Sequence, residues 1–370
     1  MILLYLGYLG KNNIGDEVCY EAFIQATNKW GNRKYTVLPF PIHEQTSLQN
    51  FYKQQNFDAV ILGGGSLLQG DFFLTLVEEA QQMKIPVFCY GTGIDYLTET
   101  AIDNYQQNQK IEVNNFFTNR NIDFKRILNA IKSMNFIGVR GPLTYQTFIT
   151  QDTDIKNICI LGDAAITYTP SENNFIFQKY INFNCKPIVA INWGTTFNKL
   201  FGYSEQNLLK QVIQCCNYLH SNGYHIVIFP MWDVDITYCQ DLYSHLTNLE
   251  SVTLIPEVCT ATQIFHFLSS CKFSINLKLH ANVLSAAALR PFINLAYRSK
   301  GMDFSLSVNC QNNTLLTNTN NLLDFVIKKE KEFKNNQSLI VDSLQKFQMY
   351  YSKQQKDFFE NYLSLYKKNL

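Results

Sequence analysis

Short apolar runs recur along this chain, most of them ending in glycine or an acidic residue and each followed by a stretch with helical character. That rhythm is the strongest constraint on the fold. A strand buried on both faces reads as a continuous apolar run, and joining it to a parallel neighbour requires a crossover, usually a helix. The runs predict alternating β and α elements building parallel sheets. They fall into two series. The first comprises Ile2–Leu6, Ala59–Leu62, Val87–Tyr90, Phe136–Val139 and Ile158–Leu161; the second, Ile188–Ile191, His225–Phe229, Val252–Ile255, Phe273–Ile275 and Phe292–Leu295.

Each series can supply a sheet of its own, and 370 residues exceed the size at which one core usually stops growing. The expected organisation is an N-terminal Rossmann-like domain over 1–175, a C-terminal Rossmann-like domain over 176–325 and a helical tail over 326–370. Turn chemistry around Thr169-Pro170-Ser171 and Lys186-Pro187 sets the boundary within 175–186. The chain beyond Leu322, without glycine or proline, predicts one or two surface helices, with Lys328-Lys329-Glu330-Lys331-Glu332 as a solvated face.

Charge excludes some function classes. Thirty-one Lys and Arg against 30 Asp and Glu give a net charge of +1, too little to draw in nucleic acid or an anionic membrane. The opening apolar run is too short to span a bilayer, and a cytoplasmic protein is expected. Ten scattered cysteines include the adjacent Cys215-Cys216 but no CxxC pair, so neither a zinc site nor a disulfide framework is indicated; no metal is expected. Cys215 and Cys216 read as packing residues, and Asp233-Val234-Asp235 as a loop or an acceptor-binding segment rather than a metal site.

Six loops could carry chemistry. After the first run comes Gly7-Tyr8-Leu9-Gly10-Lys11-Asn12-Asn13-Ile14-Gly15-Asp16-Glu17, with a helix expected from Val18. A glycine-rich turn leading into a helix can receive an anion on free backbone N–H groups, although Asp16 as a simple helix cap is the plainer alternative. The loop has neither a Walker A sequence nor the dinucleotide glycine spacing. Gly63-Gly64-Gly65-Ser66 and Gly91-Thr92-Gly93 end the next strands, and their glycines allow close ligand approach. Arg140 and Asp163 follow two later strands, where one could fork onto a carboxylate or phosphate and the other orient a hydroxyl or cap a turn. In the second series, Lys278 and His280 enter a helix of small residues, pairing a cation with a group that transfers protons near neutral pH. Trp193 and Trp232 could stack on sugar rings.

Taken in order, these residues resemble the polysaccharide pyruvyl transferase family. The matching positions are Gly7-Tyr8, Gly10, Asn13, Gly15-Asp16-Glu17, Asp58, Gly63-Gly64-Gly65, Gly91 and Gly93, Arg140 with Thr144, and Asp163. Lys278, His280, Pro291, Tyr297 and Lys300 complete the series. One departure stands out: the family commonly carries arginine where this chain has Lys278, and lysine cannot make the planar two-bond contact. The resemblance implies an architecture like the GT-B glycosyltransferases, two Rossmann-like domains facing a cleft. It implies phosphoenolpyruvate as donor substrate with no cofactor, a glycan or lipid-linked saccharide as acceptor, and a ketal product. His280, Asp16 and Asp163 would be catalytic. Asn13, Gly15, Gly64, Gly65, Ser66, Gly93, Arg140, Lys278, Tyr297 and Lys300 would bind substrate. A peripheral encounter with the inner membrane face is compatible. A nucleotide-sugar glycosyltransferase and a non-catalytic glycan-binding protein remain the rivals.

Overall fold

A computed structural model provides the structure and describes residues 1–42, 47–112, 123–170, 177, 180 and 186–366. The expected linker between 171 and 185 thus lies, apart from Phe177 and Tyr180, outside the described residues. Two compact units result: Met1–Lys11, Asp16–Tyr168 and Met349–Leu370 form the first, Asn12–Gly15 and Thr169–Gln348 the second.

Twelve strands are described: β1 Ile2–Leu6, β2 Thr36–Pro39, β3 Ala59–Leu62, β4 Val87–Thr92, β5 Phe136–Val139, β6 Ile158–Ile160, β7 Ile188–Asn192, β8 His225–Phe229, β9 Val252–Leu254, β10 Phe273–Asn276, β11 Phe292–Ala296 and β12 Thr314–Leu316. The helices in chain order are α1 Ile14–Trp30, α2 Leu48–Gln54, α3 Asp71–Gln82, α4 Glu99–Gln106, α5 Phe124–Lys132, α6 Pro142–Gln151, α7 Glu205–Ser221, α8 Ile236–Ser244, α9 Ala261–Ser270, α10 Leu279–Ala287, α11 Ser299–Ser307, α12 Leu322–Asn335 and α13 Gln337–Asp357. All ten expected runs are strands. The two that the pattern does not give, β2 and β12, each lie at one edge of a sheet and carry little apolar sequence, whereas β6 and β9 at the opposite edges belong to longer apolar runs, Ile158–Leu161 and Val252–Ile255.

Both sheets are parallel, and their strand orders locate the positions where ligands gather. The first runs β2-β1-β3-β4-β5-β6, the second β12-β11-β10-β7-β8-β9. Chain direction reverses between β1 and β3 in one and between β7 and β10 in the other. Connections leaving those strand ends go to opposite faces, which opens a crevice beyond the carboxyl edge.

The C-terminal chain contributes to both cores, while α13 leaves Leu339, Met349 and Tyr350 exposed. Phe358, Phe359 and Leu363 are fully buried in the first unit, against Phe23, Tyr90 and Phe136. Burial of each phenyl contributes about 1.5–3 kcal/mol. Gly162 lies under this segment, since a Cβ there would meet the Tyr351 ring at 2.6 Å. In the second unit, α12 buries Leu322, Val326 and Phe333. The expected solvated run lies on that same turn: Lys329 and Glu330 are only 4% and 8% exposed, and the Tyr224 hydroxyl donates to Glu330 Oε1 at 2.7 Å. Helical spacing places 326, 329, 330 and 333 on one face, and that face looks inward. Cys215 and Cys216 are core residues, as expected.

Candidate functional site

The first unit gathers Tyr5, Asp16, Cys19, the two glycine loops, Arg140 and Asp163 at the carboxyl edge of its sheet. The triple glycine is explained mainly by packing. A Cβ on Gly63 would strike the Tyr5 ring at 2.1 Å, and one on Gly64 would strike Cys19 Sγ at 2.5 Å. Gly65 is the conformational one, at φ 102. The Tyr5 hydroxyl accepts from Gly64 N at 3.3 Å, and Ser66 Oγ is buried with no hydrogen-bond partner among the described residues.

Arg140 is fully buried. Its guanidinium donates to Gly65 O at 3.3 Å and Ile94 O at 3.2 Å, tying the loop after β3 to the loop after β4. Gly93 makes room for it, since a Cβ would lie 2.5 Å from Nη2. These two bonds go to separate backbone carbonyls, not to a carboxylate or phosphate. Asp163, 1% exposed, accepts from Ala165 N at 3.0 Å and from Cys19 Sγ at 3.9 Å. Burial, with Asp163 and Asp16 nearby, pushes the Cys19 thiol well up, which keeps it protonated. Asp16 is the third residue of α1, whose start at Ile14 is earlier than expected. Asp58 serves the sheet itself, accepting from Ile2 N at 2.8 Å.

The second unit places Asn13, Gly15, Lys278, His280, Tyr297 and Lys300. Asn13 Oδ1 accepts from Gly15 N at 3.1 Å, Asn13 bridges Trp232, and Ile14 N donates to Met231 O at 3.0 Å. Gly15 lies directly against His280: a Cβ on it would fall 2.1 Å from Nδ1 and 2.7 Å from Cγ. Two motif residues far apart in sequence thus pack as one surface. Tyr297 is buried; its hydroxyl accepts from Arg298 Nη2 at 3.2 Å, and the Lys300 ammonium lies 5.2 Å from its ring centroid.

Lys278 caps α10 from the end of β10, and its ammonium is already engaged. Nζ lies 2.9 Å from Asp235 Oδ1, donates to Thr195 O at 2.6 Å and lies 5.7 Å from the Trp232 ring centroid. Asp235 is fully buried and also accepts from Thr195 N at 3.1 Å. Burial pushes its carboxyl up, opposed by Lys278 and by backbone N–H groups. The site therefore holds a neutralised pair where an unopposed cation was expected.

Three features here escaped the sequence reading. Asp235, expected in a loop or an acceptor-binding segment, anchors Lys278. Gly194, after β7, is needed because a Cβ would lie 2.2 Å from Asp235 Cγ; its position just past a buried strand was the available signal. Finally, Asn192, Asn276 and Asn294 form one buried row across β7, β10 and β11. Asn192 Oδ1 accepts from Lys278 N at 2.8 Å, Asn276 Nδ2 donates to Asn282 Oδ1 at 3.2 Å, and Asn294 Nδ2 donates to Gly301 O at 3.0 Å. These bonds fix the helix starts at the strand ends. Trp193, expected to stack on sugar, is 3% exposed and belongs to the core.

The sequence profile of the family described as polysaccharide pyruvyl transferase matches residues 13–299, a span holding every predicted site residue except Lys300. A search of curated proteins found no match. Among solved structures, S. aureus MnaA with UDP superposes with a TM-score of 0.59 at 11% identity, covering 100% of this chain and 98% of its own. The UDP-GlcNAc 2-epimerase from Neisseria meningitidis bound to UDP-GlcNAc gives 0.61 at 10% identity, covering 98% and 99%. Anabaena HepE in complex with UDP-glucose gives 0.59 at 10%, covering 98% and 99%. At these identities the likeness is one of fold, the GT-B type. No described helix is long and apolar enough to cross a membrane.

Proposed function

Because the chain belongs to the polysaccharide pyruvyl transferase family, we propose that it forms a pyruvate ketal on a sugar, using phosphoenolpyruvate as donor and releasing phosphate. The donor methylene carbon takes a proton and becomes the methyl group, which makes C2 electrophilic. One sugar hydroxyl adds to C2 and loses its proton. The C2–O bond to phosphate then breaks, a second hydroxyl of the same sugar closes the ring, and its proton leaves with the phosphate. Three proton transfers are involved, one onto the methylene carbon, one off the first hydroxyl and one from the second hydroxyl to the departing phosphate; a single group that titrates near neutrality can give the first and take back the second.

We assign that role to His280, and the observation carrying it is the packing of its ring on Gly15. A histidine held against a motif glycine at the start of α10, where the N-cap residue Lys278 makes no side-chain cap bond, is oriented beside backbone N–H groups suited to a carboxylate or phosphate. Lys278 and Arg140 act in this reading as positioning residues, because Asp235 and Thr195 engage the first and Gly65 and Ile94 the second. A lipid-linked saccharide at the inner membrane face is one acceptor class the reading accommodates.

The test is phosphate release by purified protein from phosphoenolpyruvate with a panel of glycans, and mass analysis for the addition of one pyruvate less one water. His280→Ala is expected to abolish both signals with its fold intact. Wild-type turnover in that variant removes the histidine from the mechanism. Nucleotide release from a nucleotide sugar, with phosphoenolpyruvate untouched, favours the glycosyltransferase reading.

A further inference from the structure

The loop between β7 and α7 holds an aromatic residue in a conformation that only a strongly braced backbone maintains. Phe197 and Asn198 both adopt left-handed φ angles, 55 and 53, and the Phe197 side chain is 57% exposed. A bulky side chain at positive φ is uncommon, and such strain persists where surrounding structure over-determines it. Here the brace is Glu205, at the start of α7. Its carboxylate accepts from Thr195 Oγ1 at 3.1 Å, from Thr196 Oγ1 at 2.5 Å, from Asn198 N at 3.1 Å and from Thr196 N. Asn198 Oδ1 returns a bond from Glu205 N at 3.2 Å. An exposed apolar ring held this firmly in water gains nothing for the fold.

The ring does not stand alone. Phe197 meets Trp232 edge to face, with centroids 6.2 Å apart and planes at 81°. The two rings make a corner, one a floor and the other a wall. Trp232 in turn bridges Asn13 and lies beneath the Lys278 ammonium, and the next residue, Asp233, is exposed. Through Asn13 and Gly15 the corner is continuous with His280 in the same unit. It also lies beyond β7 and β8, beside the crossover reversal between β7 and β10.

We infer that Phe197 and Trp232 form the acceptor subsite, seating the apolar C–H face of a hexopyranose. The inference rests on the proposed ketal chemistry for its ligand class. Axial C–H groups of a pyranose carry partial positive charge and match the negative face of an aromatic ring, while sugar hydroxyls find an acceptor in Asp233. A nucleobase also stacks on aromatics, but the neighbouring Asp233 opposes the phosphates such a ligand brings.

The experiment titrates the full-length protein with the glycan panel, without donor, following tryptophan fluorescence and calorimetric heat, and repeats it with Phe197→Ala, Phe197→Tyr and Trp232→Phe. Tyr203→Ala, in the same loop and 68% exposed, serves as control. Phe197→Ala is expected to weaken glycan binding at least about tenfold, about 1.4 kcal/mol. Phe197→Tyr and the control should bind as wild type, and Trp232→Phe should lose the fluorescence change. In turnover, the acceptor KM should rise in Phe197→Ala with the phosphoenolpyruvate KM unchanged. Equal glycan affinity in wild type and Phe197→Ala overturns the subsite, as does a wild-type protein that binds no glycan. A protein that releases phosphate normally in Phe197→Ala keeps the ketal reading without this subsite. One that loses glycan binding in Phe197→Ala yet never consumes phosphoenolpyruvate keeps the subsite without the ketal reading.

Discussion

Gly15→Ala sets two physical effects against each other, and the structure decides which prevails. Gly15 is the second residue of α1, and alanine in a helix is ordinarily favoured over glycine by about 1 kcal/mol. With no other effect, the substitution would stabilise. The added methyl, however, would sit 2.1 Å from His280 Nδ1, 2.7 Å from Cγ and 3.1 Å from Cβ, where ordinary contact begins at 3.4 Å. The ring must retreat by roughly 1.3 Å, and because the His280 Cβ is also crowded, rotation alone does not relieve it. Overpacking of this kind costs about 1–3 kcal/mol, so net stability should fall by about 0–2 kcal/mol. For a unit of this size each kcal/mol is a melting shift of roughly 2–4 °C. Activity is far more sensitive, since displacing a catalytic group by about 1 Å can cost on the order of a hundredfold. The assay is kcat/KM for phosphate release beside a thermal melt. A hundredfold loss with a melt shifted by a few degrees is expected. Wild-type activity with a raised melting temperature would show that the glycine and histidine do not work as one surface.

Asp235→Asn keeps the shape of the side chain but removes the charge facing Lys278, and breaking a buried pair costs roughly 3 kcal/mol in urea denaturation. An unchanged midpoint would mean that the pair contributes nothing. Arg140→Met leaves the carbonyls of Gly65 and Ile94 without their charged donor, for an expected loss of about 3 kcal/mol, with Ser66 in the same loop becoming more mobile by amide exchange. His225 is half-buried beside Lys186, and burial followed by that charge lowers its pKa below the ordinary 6.5. A depressed folded-state value means stability is fully present above pH 6.5 and declines as pH falls through the folded pKa. The melting temperature should drop over that window and drop less in His225→Gln; identical slopes would refute the assignment.

The interior strands were legible because burial on both faces writes a continuous apolar run such as Ala59–Leu62; of the four edge strands, β6 and β9 keep such a run, while β2 and β12, Thr36–Pro39 and Thr314–Leu316, do not. The burial of Lys329 and Glu330 was hidden for a different reason: a charged residue looks solvated until its hydrogen-bonding partner is known, and for Glu330 that partner is Tyr224. At the site, the motif residues could be named one by one. Their partners could not, because Asp235, Gly194 and the Asn192–Asn276–Asn294 row acquire meaning only when strand order brings β7, β8, β10 and β11 together. The triple glycine shows the same limit, since its sequence suggests ligand approach while two of its members make room for Tyr5 and Cys19.

The central claim is most directly tested by following phosphoenolpyruvate labelled with carbon-13 at C2 through a reaction with the purified protein and a bound glycan. The account predicts that the label appears as a quaternary ketal carbon bearing a methyl group on the sugar, with one phosphate released per ketal. Label that remains in phosphoenolpyruvate, while a nucleotide sugar is consumed in the same mixture, would contradict it.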